Sequence, residues 1–275
     1  MKAGIIGGTG KMGSLFAGVL GRAGWEVRVS GRSTSLTARD LAEQADLVMV
    51  SVPIRDTVPV IREVAPLLRK DQVICDLTSL KVAPVQAMLA SRAEVIGFHP
   101  MFGPTVANLR NQTILATPAR CREETAEQLY RTFRTEGARV TVTTPEAHDR
   151  MMAVIQGISH FSTLCMAGAM RTLGTDIGEV LAATSPVYRI QLNLVGRLLS
   201  QEPALYADIL RLNPETGPAL AAFEQAVRDL RERVESADPA AFEEFFRETA
   251  ARFREYSPRA LEETDRIIEF LSEQP

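Results

Sequence analysis

The chain has 275 residues, 45% of them hydrophobic and 24% charged, with a formal net charge of -3. That is the composition of a globular chain with ample core, in one large or two modest domains, and its slight acidity gives no electrostatic case for a nucleic-acid partner. Cys75, Cys121 and Cys165 are odd in number, widely spaced and without CxxC spacing, so they read as reduced thiols of a cytoplasmic protein and not as a metal site.

Met1-Lys2 runs directly into a first strand, Ala3–Ile6, which leaves no room for a signal peptide. No apolar run reaches the roughly 20 residues that span a bilayer, so the expectation is cytoplasmic residence and no membrane partner. After that strand comes Gly8-Thr9-Gly10-Lys11-Met12-Gly13, a G-x-G-x-x-G turn, and then a helix, Lys11–Arg22. In the dinucleotide fingerprint Gly8 serves the tight turn, Gly10 the close approach of a pyrophosphate, and Gly13 the packing of helix on strand. The helix N-terminus presents N–H donors to the phosphates.

The second strand, Glu26–Ser30, ends in Ser30-Gly31-Arg32-Ser33-Thr34. NAD sites usually carry an acid there for the ribose 2′-hydroxyl. None is present, whereas Arg32 suits a 2′-phosphate and Ser30, Ser33 and Thr34 offer hydroxyls. The spacing therefore favours NADP, with NAD as the alternative if Arg32 is only a solvated loop residue. The third strand, Leu47–Val52, ends at Ser51-Val52-Pro53, which either lines the dinucleotide cleft or merely terminates the strand. A helix over Asp56–Leu68 follows, then a strand, Val73–Leu77, and the segment Asp76-Leu-Thr-Ser-Leu-Lys81 before a helix at Ala83–Ser91. Ser79 suits either a hydrogen bond to a neighbouring imidazole or nicotinamide amide, or a helix N-cap. Lys81 suits either a substrate carboxylate or a structural role.

The strand Val95–Phe98 leads into His99-Pro-Met-Phe-Gly-Pro104. A histidine on a rigid backbone at the carboxyl end of a strand is where an open α/β sheet places chemistry, and it titrates near neutrality. With the glycine turn upstream, the pair suggests an alcohol oxidised by hydride transfer to a nicotinamide, with His99 as base. Strands at Thr113–Ala116 and Arg139–Val142, with a helix at Glu123–Glu136 between them, complete a doubly wound, mostly parallel sheet.

From Ala147 the period is helical: Asp149–Leu173, then about Ser185–Ser200, Pro203–Arg211, Gly217–Ser236, Pro239–Tyr256 and Pro258–Ser272. The fold class is thus α/β, a Rossmann-type doubly wound sheet followed by an all-helical C-terminal domain. A dinucleotide-binding domain spans 1–145, and a helical substrate-binding and dimerisation domain spans 146–275. The breadth of the apolar surface on Asp149–Leu173 points to a homodimer. Gln156 and His160 stand four apart on that helix, a spacing that puts them on one face; such a histidine is either a ligand-lining or a satisfied core residue. Arg189 and Arg197, with Asn193 between them, share a helix face among apolar neighbours and read either as anion-binding groups or as partners of the acidic helices downstream.

The ordered series of motifs resembles the prephenate dehydrogenases. It comprises Asp76–Lys81, His99–Pro104, His148-Asp149, Ile155-Gln156 with His160-Phe161, Ser185–Arg189, Val195-Gly196-Arg197 and Leu205-Tyr206-Ala207-Asp208. The resemblance runs from Ala3 to about residue 255 and is strongest to the enterobacterial-type dehydrogenase domain, here expected without a fused chorismate mutase or a regulatory domain. It implies oxidative decarboxylation of prephenate to 4-hydroxyphenylpyruvate and CO2 in tyrosine biosynthesis. It also implies roles: His99 as base, Ser79 orienting it, Arg197 with Arg189 for a substrate carboxylate, and His160, Gln156 and Tyr206 lining the pocket. The missing acid after the second strand leaves arogenate, the amino analogue favoured by NADP-using relatives, as the alternative substrate. Thr105, after the His99 run, offers no acid to an ammonium, which favours prephenate.

Three rivals fit less well. The Gly7–Gly10 and Ser30–Arg32 stretches also resemble deazaflavin-dependent NADP reductases, which need neither His99 nor paired arginines. β-Hydroxyacid dehydrogenases usually place a lysine on the long helix that opens the second domain, and Asp149–Leu173 has none. A non-catalytic NADPH sensor would have no use for the histidine or the arginines.

Overall fold

A computed structural model describes residues 1–273. The chain runs β1 (Lys2–Ile6), α1 (Lys11–Arg22), β2 (Glu26–Ser30), α2 (Ala38–Gln44), β3 (Leu47–Val50), α3 (Ile54–Val64), β4 (Val73–Asp76), α4 (Val82–Leu89), β5 (Glu94–Pro100), β6 (Thr113–Arg120), α5 (Glu123–Thr135) and β7 (Arg139–Val142). It continues helically through α6 (Pro145–Met152), a π-helical stretch Ala153–Ile158, α7 (Ser159–Thr172), α8 (Ile177–Ala183), α9 (Pro186–Leu199), α10 (Pro203–Leu212), α11 (Thr216–Glu235), α12 (Pro239–Phe253) and α13 (Ser257–Ser272). An α/β sheet domain followed by helices is the architecture anticipated from the alternation of strand and helix patterns.

The chain forms two compact units. The first takes in Met1–Gln156 and Ala204–Thr216. It therefore extends past the expected boundary near residue 145, because α6 and α10 pack and hydrogen-bond onto the loops at the carboxyl ends of the strands. Its sheet has seven strands in the order β2-β1-β3-β4-β5-β6-β7, all parallel except where β5 meets β6. β1 lies between β2 and β3, so the connections leave it in opposite directions, and this switch point opens a crevice at the carboxyl ends.

Alternation along the strands builds two cores. Ala3, Ile5, Leu47, Met49, Ile96 and Phe98 face α1 and α5, where Phe98 and Phe16 each meet Phe133 edge-on. Ile6, Val48, Val50, Ile74 and Val95 face α2, α3 and α4. By the same parity His99 projects to the α4 side.

α2 carries no long apolar pattern, and its signal is the capping box in which Thr37 and Asp40 satisfy each other's backbone N–H. α6 begins equally locally: Thr144 caps Ala147 N, and Pro145 occupies the first turn, where it sacrifices no hydrogen bond.

The second unit, Gly157–Pro203 and Gly217 onward, holds α7, α8, α9 and α11 to α13. Inside it α9 packs against α7 and α13, and Phe161 meets Phe223 edge-on at 6.0 Å. The expectation that no apolar run is long enough to span a bilayer is corrected here: the helical run Pro145–Thr172, 28 residues, passes that test by length and composition. Its charged residues, Glu146, Asp149, Arg150 and Arg171, stand near the two ends and leave residues 151–170 uncharged between them.

Candidate active site

Gly7 sits at φ +79°, and an added Cβ there would lie 2.2 Å from the Ser51 carbonyl oxygen and 2.9 Å from Val52. The turn after β1 and the end of β3 thus touch at the switch point, bringing Ser51, Val52 and Pro53 beside the glycine turn. A Cβ on Gly8 would meet Val29 at 2.6 Å, and one on Gly13 would meet Gly7 O at 2.5 Å and Gly8 Cα at 2.7 Å. Gly10 is different, with only Gly7 O near, at 3.2 Å. Its glycine is therefore required less by protein packing than by something approaching the backbone from outside. Gly10 also caps α1 without any side-chain bond. The first-turn N–H groups following exposed Thr9 and Lys11 and half-buried Met12 accordingly face outward for an anion.

The end of β2 is locked to the same turn. The Ser30 carbonyl accepts from Gly7 N and Gly8 N at 2.9 and 3.1 Å. A Cβ on Gly31 would collide with Thr9 Oγ1 at 2.1 Å. Thr34 Oγ1 accepts from Gly31 N at 2.8 Å and is spent on folding the loop. Arg32 and Ser33 remain exposed on it. These residues fit a dinucleotide: a side-chain-free cradle, an uncapped helix start and an acid-free β2 end carrying a cation. Gly7 and Gly31, both sterically required here, lie outside the fingerprint, and their spacing alone assigns them no steric role.

β4 and β5 run parallel with Asp76 opposite Gly97, so the loop after β4 lies alongside Phe98 and His99. His99 is buried inside the last turns of β5 and paired with Leu115 of β6. Its Nδ1 lies 2.8 Å from Nε2 of His148, and His148 Nδ1 lies 2.7 Å from Asp149 Oδ1. Both α6 residues are buried. Burial, then His148 and Lys81, hold the His99 imidazole well below its usual range, so it is neutral at physiological pH. Burial also lowers His148, against the pull of Asp149.

Two expectations about this region are revised. The expectations for Ser79 are a hydrogen bond to the imidazole or to a nicotinamide amide, or a helix cap, and the structure bears on the first and the last. Ser79 is half-buried, but the partner of His99 is His148, and α4 is capped from a distance by Asp149, which accepts from Lys81 N at 2.8 Å and Val82 N at 3.0 Å. Lys81 does not reach outward to a substrate. It is fully buried, its Nζ bound to Asp76 Oδ2 at 2.5 Å and to the Phe98 carbonyl at 2.7 Å. A buried ammonium demands such partners. Gly97 leaves the necessary room, since a Cβ there would sit 2.9 Å from Lys81 Cδ. Burial lowers the Lys81 amine and raises the Asp76 carboxyl, with each group's charge opposing the other's shift.

Tyr206 is half-buried on α10. That helix is fastened to the same carboxyl-end loops by Arg55 with Asp208 at 2.9 Å and by Ile209 packing with Ile54 and Leu80. Gln156 lies in the π-helical stretch and is half-buried, and the regular i to i+4 relation to His160 does not hold across it. His160 is half-buried in the second unit, and burial lowers its imidazole. Arg189 is half-buried and Arg197 exposed on α9. The expectation of two arginines immersed in apolar surroundings is corrected for Arg197, because only Val195 and Leu198 of that helix are buried. Among the described residues neither arginine forms an ion pair with a carboxylate, so the downstream acidic helices do not claim them. His148 and Asp149 are the site residues to which sequence reasoning gave no role. Their signal was an adjacent titratable pair in the first turns of a Thr-Pro-capped helix.

Two family descriptions match consecutive stretches of the chain: prephenate dehydrogenase, nucleotide-binding domain, over residues 16–142, and prephenate dehydrogenase, dimerization domain, over residues 144–248. A probable arogenate/prephenate dehydrogenase of Methanocaldococcus jannaschii is 35% identical over 253 residues, covering 85% of this chain and 57% of the relative. The T-protein of Enterobacter agglomerans is 37% identical over 217 residues, covering 78% of this chain and 57% of the relative. The chain thus spans 57% of the length of each of these relatives. In fold it matches the prephenate dehydrogenase of A. aeolicus solved with hydroxyphenyl propionate and NAD+, with a TM-score of 0.75 at 19% identity over 93% of this chain and 98% of that one. The chain belongs to the prephenate dehydrogenase family.

Proposed function

We propose that this chain oxidatively decarboxylates prephenate to 4-hydroxyphenylpyruvate and CO2, with NADP as preferred cofactor, in tyrosine biosynthesis. The observation that carries the reading is the buried, neutral His99 at the carboxyl edge of a sheet whose first turn is a phosphate cradle. His99 takes the proton of the ring C4 hydroxyl as the C4 hydrogen departs with its electron pair and the ring carboxylate leaves as CO2, making the ring aromatic. The bound nicotinamide supplies the hydride acceptor. Gly8 to Gly13 hold its pyrophosphate, Ser51 to Pro53 flank it, and Arg32 with Ser30 and Ser33 meets the 2′-phosphate. As substrate-binding residues we assign Ser79, Gln156 and Tyr206 of the first unit and, on the family resemblance, Arg197 and Arg189 for a substrate carboxylate and His160 of the second.

Arogenate is the alternative substrate, favoured by the relative named for both compounds. A second copy of the chain is the proposed partner, supported by the dimerization-domain match and by exposed apolar side chains such as Leu173, Phe246 and Leu261. All three cysteines are free, which suits the reducing cytoplasm.

The test is reduced-nicotinamide absorbance with prephenate or arogenate against NAD or NADP. Turnover with prephenate and NADP is expected, with Arg32→Ala moving the preference towards NAD. Preference for arogenate renames the substrate but keeps the chemistry. Silence in all four combinations, with nucleotide bound, overturns the proposal.

A further inference from the structure

Asp149 Oδ2 accepts from Val82 N at 3.0 Å, and Oδ1 accepts from Lys81 N at 2.8 Å. Those two donors are backbone amides with fixed direction, so both oxygens of the carboxylate are committed as acceptors. The third neighbour, His148 Nδ1, lies 2.7 Å from Oδ1 and must therefore donate. A neutral imidazole that donates from Nδ1 has its lone pair on Nε2. His148 Nε2 faces His99 Nδ1 at 2.8 Å, so that nitrogen of His99 must in turn carry the hydrogen. The lone pair of His99 is left on Nε2, the nitrogen that does not face His148.

From this chain of donors we propose that His148 and Asp149 are positioning residues that fix the tautomer of His99, placing its hydrogen on Nδ1 and its basic lone pair on Nε2. The proposal rests on the reading of His99 as the base. Proton uptake at Nε2 leaves the charge shared along Nδ1–H to His148 and on to Asp149, and no group other than His99 exchanges a proton with substrate. The logic is that of a base held by a third group, extended by one imidazole. Because the anchoring amides belong to the start of α4, the base is referenced to the same loop, Asp76–Lys81, that borders the site. Lys81 Nζ adds a second tie between that loop and β5 at Phe98 O, 2.7 Å away.

The chain has only three histidines, His99, His148 and His160, which makes the tautomer directly readable. The 275-residue chain carrying 15N-histidine, with signals assigned through His148→Gln and His160→Gln, is expected to show His99 protonated at Nδ1 and bare at Nε2 near pH 7. A principal Nε2–H form of His99 overturns the proposal, whether or not any substrate turns over. His148→Phe removes the acceptor while keeping bulk, and is expected to lower kcat by about 10²–10⁴ with KM and nucleotide affinity within about threefold. In His148→Gln the amide oxygen takes the place of Nε2 and accepts from His99 Nδ1, so at least about tenfold of the loss is expected back. Equal losses in the two variants, or a kcat of His148→Phe near wild type, overturn it. If wild-type protein turns over neither prephenate nor arogenate, the proposed function falls, while the nitrogen spectrum still decides the wiring.

Discussion

His99 and Lys81 show how burial turns an ordinary ionisable side chain into a specialised one. Both lie in the first unit within reach of the loop after β4, yet burial acts on them to different ends. For His99, desolvation favours the neutral form, so its imidazole binds a proton only well below its ordinary range. Since kcat/KM reports the free enzyme, its acid limb is expected below pH 6.5, the ordinary value for histidine. Activity then persists as pH falls past that value and is lost only when His99 at last binds a proton; an acid limb at or above 6.5 would contradict the assignment. For Lys81 the consequence is structural. Removing its ammonium leaves the Asp76 carboxylate buried and unpaired, and Lys81→Ala is expected to cost about 3–5 kcal/mol of stability by chemical denaturation. A stable Lys81→Ala protein with only a raised KM would return the lysine to a substrate role.

At the scale of single elements, most of the first unit was legible because parallel strands buried on both faces read as short apolar runs. β2 and β7 match their expected limits, and α1 does as well. β5 runs on past its expected end because His99 and Pro100 pair with Leu115 and Ile114, and β6 runs on because Thr117, Pro118 and Arg120 pair with Gly97, Ile96 and Val95. α2 and α8 were not anticipated. Each has seven residues, too few for a helical period to declare itself, and each is marked instead by a cap at Thr37 or Asp176. The π-helical stretch was invisible because no residue type encodes it.

The turn before α1 allows a sharp comparison of two glycines. Gly10→Ala meets only a 3.2 Å contact, so it is expected to cost about 1 kcal/mol or less. It should nonetheless weaken nicotinamide-nucleotide binding by about tenfold or more if, as the fingerprint implies, the pyrophosphate approaches the backbone there. Gly13→Ala meets backbone at 2.5 Å and 2.7 Å and is expected to destabilise the fold itself. Melting temperature and nucleotide fluorescence titration separate the two, and equal effects on stability would undo the distinction.

For the whole molecule, the division of labour between helices depends on contacts that sequence order hides. α10 follows α9 along the chain, yet it belongs to the first unit, drawn there by Asp208 with Arg55 and by Ile209 with Ile54 and Leu80. The second unit leaves large apolar side chains exposed, Leu173 at 80% and Leu261 at 64% among them. Surface of that kind is usually covered by another chain. Sedimentation equilibrium is expected to give twice the 30.1 kDa chain mass, and a monomer at micromolar concentration would refute the dimer.

By itself the sequence determined the alternation of strands and helices, the glycine turn, the acid-free end of β2 and His99 as the titratable group at a strand end. Those follow from local rules: hydrophobic period, glycine sterics and charge at a fixed offset. Only the tertiary structure decided that Lys81 turns inward, that Asp149 caps a helix 67 residues before it, and that His148 stands at hydrogen-bond distance from His99. Hydrogen-bond direction and desolvation depend on which atoms meet across the fold, and spacing along the chain carries no record of either.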